Sequence, residues 1–325
     1  MSTAIPPAPQ QPPPQRPSSA QQPPPSRDPL IEPGRRLSPS HARDRPWRLL
    51  VTLVGGATVL LVVLALAALS TATWLTGRGY TEIPAITQLG SPSSLSLTSR
   101  TGTVRVLPSN EVDELTLGLV EPGATTLPDP AAQVRARVTA DTASDSASVD
   151  VRQPDLSFDP PWADSPQDVL LLVPAGLDLA LEVSTDAGDV HIDGDYTAVE
   201  ARSDVGNIRL GPVTAPQGVT ASAEVGNIDI ELGSPAPAAV DLSATVGDVD
   251  LLLPTDAGGR VSVTTELGDI EVAAPGTARW NVEASSEYGA VQQDPGLTEG
   301  SAEAEDDAAG ILTVSSELGT IVLTR

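Results

Sequence analysis

The stretch Thr264-Thr265-Glu266-Leu267-Gly268-Asp269-Ile270 recurs, with variations, throughout residues 179–325. Its fixed point is the glycine: Ala187-Gly188-Asp189-Val190, Val205-Gly206-Asn207-Ile208, Val225-Gly226-Asn227-Ile228 and Val246-Gly247-Asp248-Val249. Looser copies are Tyr288-Gly289-Ala290-Val291 and Leu318-Gly319-Thr320-Ile321, and an early one is Thr101-Gly102-Thr103-Val104. From Gly188 to Gly319 the glycines step by 18, 20, 21, 21, 21 and 30 residues, the last step being one unit lengthened by the acidic segment 296–310. Self-similarity at such a period marks a repeat architecture. The 86 residues from Gly102 to Gly188 leave room for about four diverged units.

Aligning the copies on glycine shows which positions face a core. Val261, Val263, Thr265 and Leu267 precede Gly268 at alternate positions, and Ile270 and Val272 follow it. The same frame selects Val219, Ala221, Ala223, Val225, Ile228 and Ile230, then Val240, Leu242, Ala244, Val246, Val249 and Leu251. Alternation over short runs is the strand signature. The alternation changes parity across the Gly-Asp or Gly-Asn pair, as at a bulge or sharp bend, where glycine tolerates the backbone angles. Three residues before each glycine the side chain is small (Thr185, Ser203, Ala223, Ala244, Thr265, Ser286, Ser316), as a crowded corner demands.

One unit cannot bury enough aliphatic surface to offset the entropy of ordering about 20 residues, so units must stack and share their faces. The expected fold is all-β: a single-stranded β-solenoid of rungs about 18–21 residues long, with an antiparallel β-sandwich as the alternative that strand spacing also fits. The Ser/Thr-x-acid-apolar-Gly-Asp/Asn-Ile/Val unit resembles the bacterial "putative adhesin" repeat domains of unknown function. The resemblance covers about residues 179–325 and, more weakly, extends back to about Leu95. It implies a β-solenoid, often behind a single membrane span, and it assigns no functional residue.

Upstream, residues 49–75, bounded by Leu49 and Leu75, carry no charge and are mostly Leu, Val and Ala. A helix crosses a roughly 30 Å hydrocarbon layer in about 20 such residues. Trp47 and Trp74 lie near the two ends of the run at a spacing suited to the two headgroup zones. A membrane helix over 49–77 is therefore expected, with the lipid bilayer as its partner. Arg35, Arg36, Arg43, Arg45 and Arg48 precede it and Arg78 alone follows closely. The positive-inside rule places the amino terminus in the cytoplasm and the carboxy-terminal region outside, at the cell membrane. The apolar run is about twice the length of a signal-peptide core, so an uncleaved anchor is expected. Residues 1–48 hold 14 prolines and few apolar side chains, and read as a disordered cytoplasmic tail with Pro-x-x-P spacing such as Pro6–Pro9. Residues 78–94 read as a juxtamembrane linker and 95–325 as the extracytoplasmic repeat region.

The chain's net charge of −25 is concentrated in residues 79–325, where ten Arg face forty acids. Such a surface repels nucleic acid and suits cations, basic proteins or neutral glycans. Asp189, Asn207, Asn227, Asp248 and Asp269 follow the glycines and stack from rung to rung. They read as turn formers; a calcium ladder on Asp189, Asp248 and Asp269 is the alternative. Asp186, Asp204, Glu224, Glu266, Glu287 and Glu317, two residues before their glycines, form an outward acid row: a solvated face or a docking surface for a basic partner.

Enzyme chemistry finds little footing. The single histidine after the apolar run is His191, with no nucleophile motif around Ser184 or Ser203. Asp193, Asp195, Asp248 and Asp250 are candidates for glycoside hydrolysis only because acids abound. A loop at 154–166 holds Phe158 and Trp162. No cofactor, catalytic residue or nucleic-acid partner is expected. The sequence reads as a noncatalytic surface or envelope interaction module. The alternatives are an envelope-signalling accessory working through the proline-rich tail and a carbohydrate-active enzyme.

Overall fold

The structure, a computed structural model, describes residues 44–77, 80–143, 145–154, 166–298 and 310–325. The proline-rich segment and the loop with Phe158 and Trp162 lie outside the described residues. So does most of the acidic segment before residue 310. The chain divides into two compact units. The first contains most of one helix, Asp44–Gly77, whose stretch Leu49–Ala68 is long and apolar enough to cross a membrane and has no buried residue. Two of its hydroxyls are satisfied within the helix: Thr58 Oγ1 donates to the Val54 carbonyl at 2.9 Å and Thr71 Oγ1 to the Ala67 carbonyl at 2.9 Å. A lipid environment requires that internal pairing.

Apart from the end of that helix and a short 3-10 turn at Pro295–Leu297, the described residues of the second unit are all-β, built of two eleven-stranded sheets. Each repeat gives one strand to each sheet, joined at its glycine, so the Gly226 layer comprises Val219–Val225 and Ile228–Leu232. Equivalent strands of neighbouring layers pair in parallel, Ala221 against Leu242 and Ile228 against Val249. In-register pairing brings like residues together, and the inward Val, Leu, Ile and Ala form one continuous core between the sheets. Aliphatic side chains fill most of it, with Tyr196 and Trp280 among them, as the shortage of aromatics requires.

Sequence order and spatial order part company at both ends. The layers run Gly102, Gly188, Gly206, Gly226, Gly247, Gly268, Gly319, Gly289. The last layer in sequence, Gly310–Leu318 with Ile321–Thr324, is inserted between the Gly268 layer and Trp280–Tyr288. Burial explains the exchange. Leu312, Val314, Ile321 and Leu323 are all fully enclosed, whereas Val282 and Ala284 are only half-buried and Val291 is exposed. The more apolar layer takes the inner place. Arg325 ties this end together, its Nε donating to the Gly276 carbonyl at 2.9 Å and its Nη1 to that of Gly296.

At the other end, the expected run of diverged units between Gly102 and Gly188 is replaced by direct contact of those two layers. The intervening residues pass outward instead. Ser146–Arg152 and Asp168–Pro174 add one further parallel layer beyond Gly102. Gln133–Thr142 and Leu115–Val120 then pair antiparallel onto that layer. Residues read as a linker supply the last two strands, Thr81–Pro84 and Ile86–Gly90, also antiparallel. Among the described residues antiparallel pairing is thus confined to this end, where it covers the open edge of the parallel stack.

Candidate interaction surface

The corner of each layer is where backbone approaches backbone. A Cβ built on Gly206, Gly226, Gly247 or Gly268 would lie 2.0–2.1 Å from the carbonyl oxygen of the preceding layer's glycine, and the φ angles there run from 146° to 156°. Gly102, Gly188, Gly289 and Gly319 occupy the same column. The small residue three positions earlier serves this corner. Ser203 Oγ donates to the Gly188 carbonyl at 3.2 Å, Thr265 Oγ1 to Gly247 at 3.2 Å and Ser286 Oγ to Gly319 at 2.8 Å. Thr185 Oγ1, in the layer next to Gly102, is buried without a partner among the described residues.

The Asp/Asn column beside the glycines is a hydrogen-bond ladder. Asp189 Oδ1 accepts the Asn207 amide at 2.8 Å, Asn207 Oδ1 that of Asn227 at 3.0 Å, and Asn227 Oδ1 that of Asp248 at 3.0 Å. Asp248 and Asp269 continue it to the amides of Asp269 and Thr320 at 2.8 and 2.6 Å. Each amide thereby satisfied points out of the ladder at a bend, so the side chain one layer back stands in for a strand carbonyl. This gives the turn residues at Asp189, Asp248 and Asp269 a structural role, and no group of three or more His, Cys, Asp or Glu among the described residues is placed to hold a metal. Asn227→Ala strands the Asp248 amide; a loss of about 1 kcal/mol is expected by thermal melting, with Asn227→Asp retaining most of it.

The structure corrects one reading of the corner. Val225, Val246 and Leu267, read as inward, are exposed, as are Val205, Leu318 and Tyr288 at the same position, with exposures from 40 to 69%. The register explains it: Ser203 pairs with Ala223 and Val205 with Val225, while Asp204 and Glu224 are skipped. Parity therefore flips one step before the glycine, and two consecutive residues face solvent. A regular period cannot reveal this, because an apolar residue at a bulge looks the same in sequence on either side of the sheet.

The result is a two-row ridge. Six apolar side chains in successive layers lie beside the outward acids Asp204, Glu224, Glu266, Glu287 and Glu317. Asp186, also in the acid row, reaches Arg100 at 3.8 Å with both side chains half-exposed, a pairing that contributes little. Next to the acids a shallow concavity of about 720 Å³ is lined by outward hydroxyls such as Ser222, Ser243, Thr264 and Ser315. A second, of about 650 Å³, lies under Asp141 and Ala143.

The outer face of the other sheet carries charge in a different order. Arg105, His191 and Arg209 neighbour one another, followed by Asp229, Asp250 and Glu271. Burial first, then the Arg105 charge, lowers the His191 pKa, so the ring is neutral at pH 7. Burial, reinforced by Glu271 and Asp229, raises the Asp250 pKa. A raised carboxyl favours folding below its unfolded value, and that advantage is lost as pH rises through the folded one. Asp250→Asn is therefore expected to raise Tm by about a degree or two at pH 7, and to give no gain below pH 4.

Several buried polar groups carry no sequence signal, among them Gln153 and Asp168. Asp168, 5% exposed, accepts from Arg105 Nη1 at 2.7 Å and from the amides of Gly123 at 2.8 Å and Thr103 at 3.1 Å. It supplies to the Gly102 corner what the Asp/Asn ladder supplies elsewhere. No spacing signal marks it, because its layer lacks the glycine motif.

No family model and no curated protein matches this sequence. Among solved structures the chain is similar to a "putative cell adhesion protein" from Clostridium sporogenes, at 11% identity and a TM-score of 0.34, over 75% of this chain and 99% of that one. It is also similar to a "putative adhesin" from Bacteroides fragilis, at 14% identity and a TM-score of 0.38, over 75% and 97% of the two chains.

Proposed function

We propose that this is a single-pass membrane protein whose β region, a solenoid of two-strand turns, displays a noncatalytic interaction surface outside the cytoplasm. The apolar helix supplies the anchor. The arginine cluster on its amino-terminal side supports an inward amino terminus. The observation that carries the interaction reading is the exposed apolar ridge. Large apolar side chains recur at an exposed position in six successive layers, and continuous exposed apolar surface marks a place where something binds. The acid row beside it keeps the ridge soluble and selects against polyanions.

The chain contains no cysteine, so a single Ser243→Cys substitution gives a unique, exposed reporter on the outward face. A membrane-impermeant maleimide is expected to label it in intact cells. Labelling only after lysis reverses the topology and removes the proposal.

A further inference from the structure

The ridge defines the chemistry of what would cover it. Its register is fixed by strand pairing, Val205 to Val225 to Val246 to Leu267 to Leu318 to Tyr288. With strands about 4.8 Å apart, six layers span roughly 24 Å, the reach of about seven extended residues. The strip is narrow, one side chain wide, so it suits an extended segment better than a helix or a flat domain face. Beside the apolar column, Asp204, Glu224, Glu266, Glu287 and Glu317 form no ion pair among the described residues. The acids stand in adjacent layers in two groups, Asp204 with Glu224 and Glu266 with Glu317 and Glu287, separated by Thr245 in the Gly247 layer. Like charges at layer spacing within each group repel, and cationic groups brought alongside relieve that repulsion.

We propose that this ridge docks an extended, cationic polypeptide segment of a partner protein, lying along the stack. Its apolar side chains cover the valine–leucine column, and its Arg or Lys side chains meet the acid row. Charge complementarity singles out this occupant. A second copy would bring an identical acid row against the first, an anionic lipid surface or nucleic acid would be repelled, and a neutral glycan would leave the acids unanswered.

The inference rests on the β region being an interaction surface, but its test is independent of the labelling experiment, so failure here leaves the topology to be judged separately. The full chain, in nanodiscs of zwitterionic lipid, is titrated into a labelled ten-residue peptide alternating Arg and Leu, with empty nanodiscs as baseline. Saturable binding that weakens with salt is expected. The exposed-site variant V225S/V246S/L267S should weaken it at least about tenfold, and E224Q/E266Q/E317Q about three- to tenfold, with a shallower salt dependence. A peptide alternating Arg and Ser should bind at least about tenfold more weakly than the Arg–Leu one. The proposal is overturned by absence of saturable binding above baseline. Undiminished binding by the serine variant, with melting unchanged from the parent, overturns it too. So does ridge-dependent self-association of the protein without peptide, or ridge-dependent capture of anionic vesicles.

Discussion

Gly226→Ala is expected to destabilise the β region by about 3 kcal/mol or more, a fall in Tm of roughly 6–12 °C. The new methyl would lie 2.0 Å from the Gly206 carbonyl oxygen and 2.6 Å from its carbon, both backbone atoms. Neither side can yield cheaply. The Gly206 amide donates to the Val225 carbonyl at 3.0 Å and the Gly226 amide to Val246 at 2.9 Å, so relief in one layer breaks bonds to the next. A φ of 152° adds a backbone penalty that every side-chain-bearing residue shares. Gly90→Ala is the informative comparison. Its φ is 75° and nothing lies within 4 Å of the added carbon, so only the backbone penalty, about 1 kcal/mol, should appear. Circular dichroism melts of the two variants separate steric stacking from conformational strain. Equal losses would mean that the glycine column is not in van der Waals contact.

The repeat made much of this fold legible. Glycine spacing, the inward aliphatic frame and the small residue three positions earlier all follow from one physical demand: that successive layers lie in register at strand distance. Fifteen of the eighteen side chains selected in the Gly226, Gly247 and Gly268 layers are buried. The three that are not, Val225, Val246 and Leu267, sit where the strand pairing skips a residue. That skip is a hydrogen-bonding event with no composition of its own. The acid row and the Asp/Asn column could be located in sequence, but their bonding partners come from other layers, and periodicity is silent on partners. The antiparallel strands at residues 81–90 were hidden for another reason. They are short, lack the glycine motif and are defined by the edge they cover.

Layer order is the feature that periodicity can least specify, because layers with the same motif can pair with one another in any order. It is also open to a decisive covalent test. Thr264 and Ser315 are register partners in adjacent layers, and Ser285 pairs with Ser315 on its other side. Thr264 and Ser285 are therefore two layers apart, about 9.6 Å, beyond the roughly 7 Å limit for a disulfide between Cα atoms. Stacking in sequence order would make these two neighbours instead. In this cysteine-free chain, T264C/S315C is expected to oxidise nearly completely without a change of fold, and T264C/S285C to remain reduced. Mass spectrometry of the non-reduced protein reads both. The bridge closes a loop of about 50 residues, for which chain entropy gives up to about 4 kcal/mol of stabilisation, less any strain at the new bond. The T264C/S315C variant should accordingly melt higher when oxidised than when reduced. A disulfide in T264C/S285C instead would place Trp280–Tyr288 directly against Gly259–Leu267, and the burial argument for the inner position of Gly310–Leu318 would fall with it.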